Sequence, residues 1–289
     1  MARVCAVWTG SSVLLESGPD LTSAVTLTSL IGQTVTATTA IGTDSILVPV
    51  LVFVVAFAHL LPDHVPVSSG VSEDAALSAT GGVSVVYAFV HLFPELDERR
   101  TAIEGVHVSA GIVDWTLAAH HVYAIAFLGL ALFYGLERLA QVAETLEGEL
   151  GSAAPHVEPV FWVHVGGFAV YNAFIGYALV GGETGADNVT LFAVAMAVHL
   201  YGNDRALEGR HRAAYQEVGR WVLTASVFVG AAVASVTALN PATVAVLLAL
   251  LTGGIVFNAI KDELPRTRES RFWPFVAGSA GYGVLLLVL

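Results

Sequence analysis

Long apolar runs without charged residues recur from residue 46 to the end of the chain, and they constrain its fold more than any other feature. The chain is only 12% charged, with a mean hydropathy of +0.73, whereas soluble domains carry about 25% charged residues. The runs are about 18–24 residues long, which is the length a helix needs to cross a bilayer. They do not alternate as barrel strands do. The sequence therefore predicts an all-α, multi-pass protein of the cell membrane.

Two regions are predicted, a polar, threonine-rich segment over 1–45 and a transmembrane domain over 46–289. The first contains no apolar run long enough for a signal peptide. The second contains eight predicted spans. Their approximate ranges are 46–62, 76–95, 116–136, 159–181, 188–203, 216–238, 241–260 and 272–289. A helical extension of the third span, followed by a Gly- and Pro-containing break, is expected over 137–158.

The charges in the loops predict how these spans are oriented. Nine of the 12 basic residues lie in the loops after spans one, three, five and seven, and three lie on the other side. Cytoplasmic loops are enriched in Lys and Arg. Both termini are therefore expected outside the cell.

Composition also excludes several classes of function. Acidic residues outnumber basic ones by 24 to 12, and no basic patch indicates nucleic-acid binding. This acidic, lysine-poor balance resembles that of proteins from salt-loving microbes. Cys5 is the only cysteine, so an intramolecular disulfide or a thiolate cluster is impossible. We find no zincin, nucleophile-elbow or phosphate-loop motif, and an enzyme is not expected.

Two histidine–acid pairs stand near the ends of apolar runs. His59 and Asp63 are four residues apart, as are His91 and Glu95. On a helix this spacing places both side chains on one face. Imidazole with carboxylate suits zinc, iron or manganese. It equally suits a hydrogen bond that caps a helix end, and the sequence leaves both interpretations open.

Further polar side chains lie within the later spans, where they are expected to face the interior of the helix bundle. They are His164, Tyr171 and Asn172 in span four, His199, Asn203 and the following Asp204 in span five, and Asn258 and Asp262 in span seven. A lone buried histidine such as His164 is more often an interhelical hydrogen-bonding group than a metal ligand. His199 with Asn203 is the stronger candidate, because the two share a helix face.

Five segments in a fixed order carry a likeness to a known family. They are FVHLFPEL at 89–96, GLALFYGLERL at 129–139, VYNAFIGYAL at 170–179, AVAMAVHLYGNDRALEG at 193–209 and GGIVFNAIKDELP at 253–265. Together they resemble helices two, three, four, five and seven of the ZIP (zinc/iron-regulated transporter-like) family of metal transporters. The likeness covers about residues 46–289, and eight spans with both termini outside is that family's topology.

The resemblance implies a transport site between the fourth and fifth helices, formed here by Asn172, His199, Asn203 and Asp204. It also implies that His91 and Glu95 lie on the route by which the metal ion reaches this site. Family carboxylates and kink-forming prolines are missing, since Ile175 replaces an acid and Phe174 and Gly202 stand where prolines belong. Tyr171 replaces a histidine. Secondary candidates are His164, Tyr171, Glu208, His211 and Asp262. Asp204 and Glu208 are expected beyond the end of span five, on a solvated acidic face.

Three functions remain open from the sequence. The first is inward transport of a divalent zinc-, iron- or manganese-class ion, which would be a substrate and not a tightly bound cofactor. The second is a transport-silent homologue that acts as a sensor or structural membrane protein. The third is a membrane hydrolase that uses His164, His199 and another histidine with zinc. The expected partners are the metal ion, the bilayer and, by analogy with the family, a second copy in a homodimer.

Overall fold

A computed structural model describes residues 46–62, 72–110, 113–150, 159–182, 189–263 and 271–288. Residues 1–45 and Asp63 therefore lie outside the described residues. Five helical segments are long and apolar enough to cross a membrane: Glu73–Ile103, His121–Val142, Phe161–Gly181, Val189–Val236 and Pro241–Lys261. Ile46–Ala58 and Phe272–Val288 are shorter apolar helices. These findings fit the predicted helical membrane protein.

The first predicted span contains the short helix α1 (Ile46–Ala58), and the second predicted span contains several helical pieces. Helix α2 (Glu73–Tyr87) begins at Ser72, whose side chain accepts from the Ala75 amide. A π-helical turn (Ala88–Leu92) joins it to α3 (Phe93–Arg99). Pro94 stands at the start of α3 and cannot donate a backbone hydrogen bond, so a wider turn before it is physically reasonable.

A β-hairpin follows after the 3₁₀ turn Arg100–Ile103, and the sequence did not predict it. Strands β1 (His107–Ala110) and β2 (Val113–Thr116) pair antiparallel, with His107 opposite Thr116. Valine, threonine and tryptophan around a central glycine are a recognisable hairpin signal. This signal was overlooked because the prediction relied on the long apolar runs on either side of it.

Six longer helical elements complete the described chain. They are α4 (His121–Leu150), α5 (Pro159–Gly181), α6 (Val189–Ala214), α7 (Arg220–Val236), α8 (Pro241–Asn258) and α9 (Phe272–Val288). Helix α4 contains the predicted extension of span three. Helix α6 continues well past the predicted end of span five near residue 203, and His211 kinks it with non-helical backbone angles. The π-helical turns Tyr215–Gly219 and Ala259–Glu263 follow α6 and α8.

Close backbone contacts at glycines join the helices in three pairs. In α5 and α7, a methyl group on Gly176 would collide with the backbone of Val227, and one on Gly230 with that of Ala173. The same reciprocal arrangement joins α2 to α9 and α4 to α8. The glycines are Gly82 and Gly278 in the first pair, and Gly129 and Gly253 in the second. Small residues let membrane helices approach closely in this way.

The contacts also show that the paired helices run in the same direction. Along α2 and α9, Ser78 contacts Arg271, Gly82 contacts Phe275, and Val86 contacts Gly283. Along α4 and α8, Gly129 meets Leu250, Tyr134 meets Phe257, and Glu137 meets Lys261. Phe161 meets Gly219 and Ala173 meets Gly230 in the third pair. Residue numbers rise together in each pair, so the three pairs are parallel.

Candidate functional site

A cluster of buried polar side chains lies where α1, α2, α5 and α6 meet, and one half of it is centred on His59. His59 Nδ1 is 2.6 Å from Asp204 Oδ2, and His59 Nε2 is 3.1 Å from Asn172 Nδ2. All three side chains are buried. The hydroxyl of Tyr215 donates to the backbone carbonyl of His59 at 3.0 Å. This contact holds the chain in place just after α1 ends.

The other half of this central cluster is centred on His199. Its Nδ1 is 3.1 Å from Ser84 Oγ, while its Nε2 is 2.9 Å from the Tyr171 hydroxyl and 3.1 Å from Asn203 Nδ2. Helix α6 supplies His199 and Asn203 one turn apart, and α5 supplies Tyr171 next to Asn172. The structure therefore brings His199, Asn203 and Tyr171 together as the sequence predicted. Asn172 meets His59 instead.

The hydrogen-bond partners determine which nitrogen of each imidazole carries a proton. A carboxylate only accepts, so His59 donates from Nδ1 to Asp204, and in the neutral imidazole its Nε2 carries the lone pair. The Ser84 hydroxyl donates to the Thr80 carbonyl and therefore accepts from His199 Nδ1. Nε2 of His199 then also carries a lone pair. Both histidines thus present Nε2 to an asparagine.

The two asparagines show what is missing from the cluster. Each directs its NH₂ group at an imidazole lone pair, while Asn172 Oδ1 and Asn203 Oδ1 are buried without a hydrogen-bond partner among the described residues. Leaving a buried polar group unpaired costs about 1–3 kcal/mol. Rotating either amide would bring its oxygen against the Nε2 lone pair, and the two would repel. Among the described residues, the cluster therefore contains two buried acceptor atoms without a partner, Asn172 Oδ1 and Asn203 Oδ1.

Asp204 lies in a different environment from the predicted one. It was expected on a solvated face beyond the end of span five, but α6 continues to Ala214 and buries Asp204 to 2% exposure. That expectation was wrong because α6 continues through Gly202 and Asn203, and Asp204 bonds to His59 inside the bundle. Glu208 does lie further out, where Arg205 contacts it at 3.6 Å and Gln216 donates to it at 2.9 Å. Asp204 is thus the carboxylate of the central cluster.

Neither predicted histidine–acid pair is found among the described residues. His59 pairs with Asp204, and its predicted partner Asp63 lies outside the described residues. Glu95 accepts from Arg99 at 2.6 Å and does not pair with His91. The ring of His91 stacks on Tyr87 with centroids 5.0 Å apart. Arg99, which is one turn further along α3, offers Glu95 a full positive charge that a neutral imidazole lacks.

A second polar cluster surrounds Glu137, where the middle of α4 meets the last turns of α6 and the π-helical turn after α8. The carboxylate of Glu137 accepts from Lys261 at 2.7 Å, from Arg210 at 3.0 Å and from Gln141 at 3.0 Å. His164 Nε2 lies 3.3 Å from the same carboxylate. One acid thus binds two permanent cations. We refer to these residues, together with His211, as the Glu137 cluster.

Other secondary candidates fall in or beside the Glu137 cluster. His164 Nδ1 lies 3.3 Å from His211 Nε2, so the two predicted histidines do meet. They belong to the surroundings of Glu137, whose carboxylate lies 3.3 Å from His164 Nε2. Asn258 is buried nearby and neither polar atom of its side chain has a partner among the described residues. The backbone of Asp262 lies in the turn Ala259–Glu263, and its side chain lies outside the described part of the chain.

Ligand types set a limit on both clusters. Within the described ranges, no three or more His, Cys, Asp or Glu side chains are grouped so that they could hold a metal ion. A metal ion in the central cluster would therefore need the amide oxygens of Asn172 and Asn203 as well. Such oxygens suit hard and borderline divalent cations. Glu137 itself was missed from the sequence, although it lies in the Leu-Glu-Arg segment at 136–138.

Comparisons with known proteins add no further constraint. No protein-family model matches the chain, and no curated protein matches it.

Proposed function

We propose that this chain carries a divalent metal ion of the zinc, iron or manganese class across the cell membrane, in the manner of a divergent ZIP-like transporter. The proposal is carried by one observation: His59 Nε2 and His199 Nε2 each lie 3.1 Å from the amide group of an asparagine whose oxygen is buried without a partner among the described residues, and a buried carboxylate, Asp204, adjoins His59. A divalent cation is the guest that uses all of them. Rotating the two amides would turn Asn172 Oδ1 and Asn203 Oδ1 toward it.

The hydrogen bonds made by the Nδ1 atoms of His59 and His199 support the same proposal. A metal-bound histidine usually donates its other ring N–H to a carboxylate or another oxygen, which fixes its orientation. Asp204 holds His59 in this way, and Ser84 holds His199. Both Nε2 atoms are therefore pre-oriented for a metal ion. Asp204 also supplies negative charge that offsets the cost of dehydrating the cation.

The helix directions support eight crossings with alternating access around this cluster. Val189–Val236 spans 48 residues, which at 1.5 Å per residue is about 72 Å and too long for one crossing. The kink at His211 divides it into α6 and α7. If each helix crosses the membrane once, two helices separated along the chain by an odd number of helices run in the same direction. One helix lies between α5 and α7, and three lie between α4 and α8. Both pairs are indeed parallel. With α1 and α9, the count is eight.

Loop charge supports an orientation with both termini outside, and the resemblance to the family implies inward transport. The Glu137 cluster would stand at the inner ends of its helices, and α3 with Glu95 at the outer face. His91, whose Nε2 is buried without a partner within the described ranges, would lie between Glu95 and Ser84 on the second span. Its position fits the approach role inferred from the family.

A transport-silent homologue is the second candidate, and the single carboxylate of the central cluster favours it. The hydrolase alternative has less support, because His164 and His199 have different partners and are joined by no third histidine among the described residues.

Uptake of Zn²⁺ into proteoliposomes separates the two leading candidates. The double variant His199→Ala, Asn203→Ala removes one lone pair and one amide oxygen, and we expect uptake to fall by at least about tenfold, as for the loss of metal-orienting groups. A matched control, His107→Ala with His120→Ala, removes two exposed imidazoles and should transport as the unmodified protein does.

Two results would reject transport through this cluster. One is full uptake by the His199, Asn203 double variant. The other is no uptake of Zn²⁺, Fe²⁺ or Mn²⁺ by folded, unmodified protein, which would leave the transport-silent homologue.

A further inference from the structure

A wide apolar groove of about 510 Å³ lies between α4, α5 and α8. Its walls include Leu132, Leu136 and Leu139 from α4, Val170 and Phe174 from α5, and Leu250 from α8. Tyr171 is the only lining residue with a polar side chain, and its hydroxyl is bonded to His199. The groove therefore offers a guest no hydrogen-bonding group, which excludes polar ligands.

The mouth of the groove opens on the outside of the helix bundle. Leu132, Leu139 and Val170 are 52%, 63% and 75% exposed, although all three lie in helices that are long and apolar enough to cross a membrane. A surface of this kind faces hydrocarbon in a membrane protein. What fills the groove must then come from the bilayer or from another membrane-embedded chain.

The groove exists because glycines tighten the neighbouring helix pairs and empty the space between them. Gly129 and Gly253 draw α4 onto α8, and Gly176 and Gly230 draw α5 onto α7. Between the pairs, Gly135 and Gly167 line the groove and contribute no side chain. A Cβ on Gly135 would have no neighbour within 4 Å. The groove between the α4–α8 and α5–α7 pairs thus results from the glycines in these helices.

Length and charge indicate one occupant. Along α4 the groove runs from Gly129 to Leu139, which at 1.5 Å per residue is about 15 Å. That is half of the roughly 30 Å hydrocarbon core, or one leaflet. Arg138 lies at the end of this stretch and is exposed, so its positive charge is placed for a lipid phosphate.

We propose that an acyl chain of a phospholipid, from the leaflet on the Arg138 side, occupies this groove. The chain fills the gap between the α4–α8 and α5–α7 pairs and packs against Tyr171. Bilayer lipid thereby forms part of the support for His199, through the Tyr171 hydroxyl. The binding itself rests on the membrane setting and does not depend on metal transport.

The test uses full-length protein in vesicles of phosphatidylcholine and phosphatidylglycerol that contain a trace of phosphatidylcholine with a photoactivatable acyl chain. After illumination, peptide mass spectrometry locates the lipid adducts. We expect a several-fold excess on Leu132, Leu139 and Val170 over Val229 and Val233, which are exposed residues of α7 outside the groove. The Gly135→Phe variant places a ring in the groove and should abolish that excess.

Gly166→Phe is the matched control, because Gly166 has equally open surroundings and does not line the groove. It should keep the excess. Equal labelling of α7 and groove residues in unmodified protein would overturn the proposal. So would cross-links between two copies through Leu132 or Val170, which would make a second chain the occupant. Neither outcome depends on Zn²⁺ uptake, so the result is independent of the proposed transport.

Discussion

The central cluster around His59 and His199 and the Glu137 cluster each contain one buried carboxylate, and they differ in what surrounds it. Asp204 has the imidazole of His59 as its partner, with amides and hydroxyls close by. Glu137 has two permanent cations, Arg210 and Lys261. The first environment leaves negative charge and lone pairs for a cation, whereas the second is already saturated. Similar residues thus surround a carboxylate with hydrogen-bonding groups in one place and with ion-pair partners in the other.

The Glu137 cluster also crosses a boundary between helix groups. Glu137 and Lys261 belong to the α4–α8 pair, while His164 lies on α5 and Arg210 on α6. Its bonds join these groups at one end of the bundle. If the proposed transport moves these helix groups past each other, the ion pairs of Glu137 with Arg210 and Lys261 must break and re-form.

Replacing Glu137 should have the largest effect on stability. Glu137→Gln leaves Arg210 and Lys261 without their common anion, and we expect a loss of about 3 kcal/mol, the low end for a broken buried ion pair, since both cations are part-exposed. The free energy of unfolding in bicelles measures it. Asp97→Asn is the control, because the Asp97–Arg100 pair is exposed and its loss should destabilise the fold far less. An equal loss of unfolding free energy in the two variants would show that the Glu137 ion pairs contribute no more to stability than the surface pair Asp97–Arg100 does.

Replacing Asp204 should affect binding and leave stability nearly unchanged. Asp204→Asn keeps the shape but removes the only carboxylate of the central cluster, and we expect Zn²⁺ affinity to fall by about 10–100-fold. Burying an amide in place of a carboxylate costs less desolvation, so the fold should tolerate the change. Isothermal titration and unfolding of the same sample check both parts. Unchanged affinity would show that Asp204 does not serve a metal ion.

Adding a negative charge to the central cluster should strengthen its binding of a cation. Asn203→Asp gives the central cluster a second carboxylate next to His199 Nε2, and we expect Zn²⁺ to bind about tenfold more tightly, or about 1.4 kcal/mol. Without metal, the variant should be less stable, because the new charge is buried without a cation. Unfolding with and without Zn²⁺ separates the two effects. A variant that gains nothing from Zn²⁺ would contradict the predicted ligand role of Asn203.

The smallest effect is expected at Tyr171. Tyr171→Phe removes one of two donors that share the lone pair of His199 Nε2, and a hydrogen bond of this kind contributes about 1 kcal/mol. Because a metal ion would displace this donor, Zn²⁺ affinity should change only a few-fold. Titration of the variant beside unmodified protein measures it. Complete loss of binding would instead make the hydroxyl itself a ligand.

How far the sequence predicts the structure differs between these regions. Apolar runs predict the helices because each must hide its backbone in lipid, and the spacing of His199 and Asn203 correctly places them on one face. The His59–Asp204 pair joins residues 145 positions apart, and no local pattern reveals such a contact. Glu137 was missed for the same reason, since Arg210 and Lys261 reach it from other helices. The π-helical turns and the kink at His211 depend on packing between helices.

The most direct test of the central claim is a crystal structure of Zn²⁺-soaked protein, with anomalous difference density to locate the metal. We predict a peak between His59 and His199, with Nε2 of at least one histidine about 2.0–2.2 Å away and the amide oxygen of Asn172 or Asn203 turned toward it. Strong density at exposed histidines such as His107 and His120, with none in the central cluster, would contradict the account.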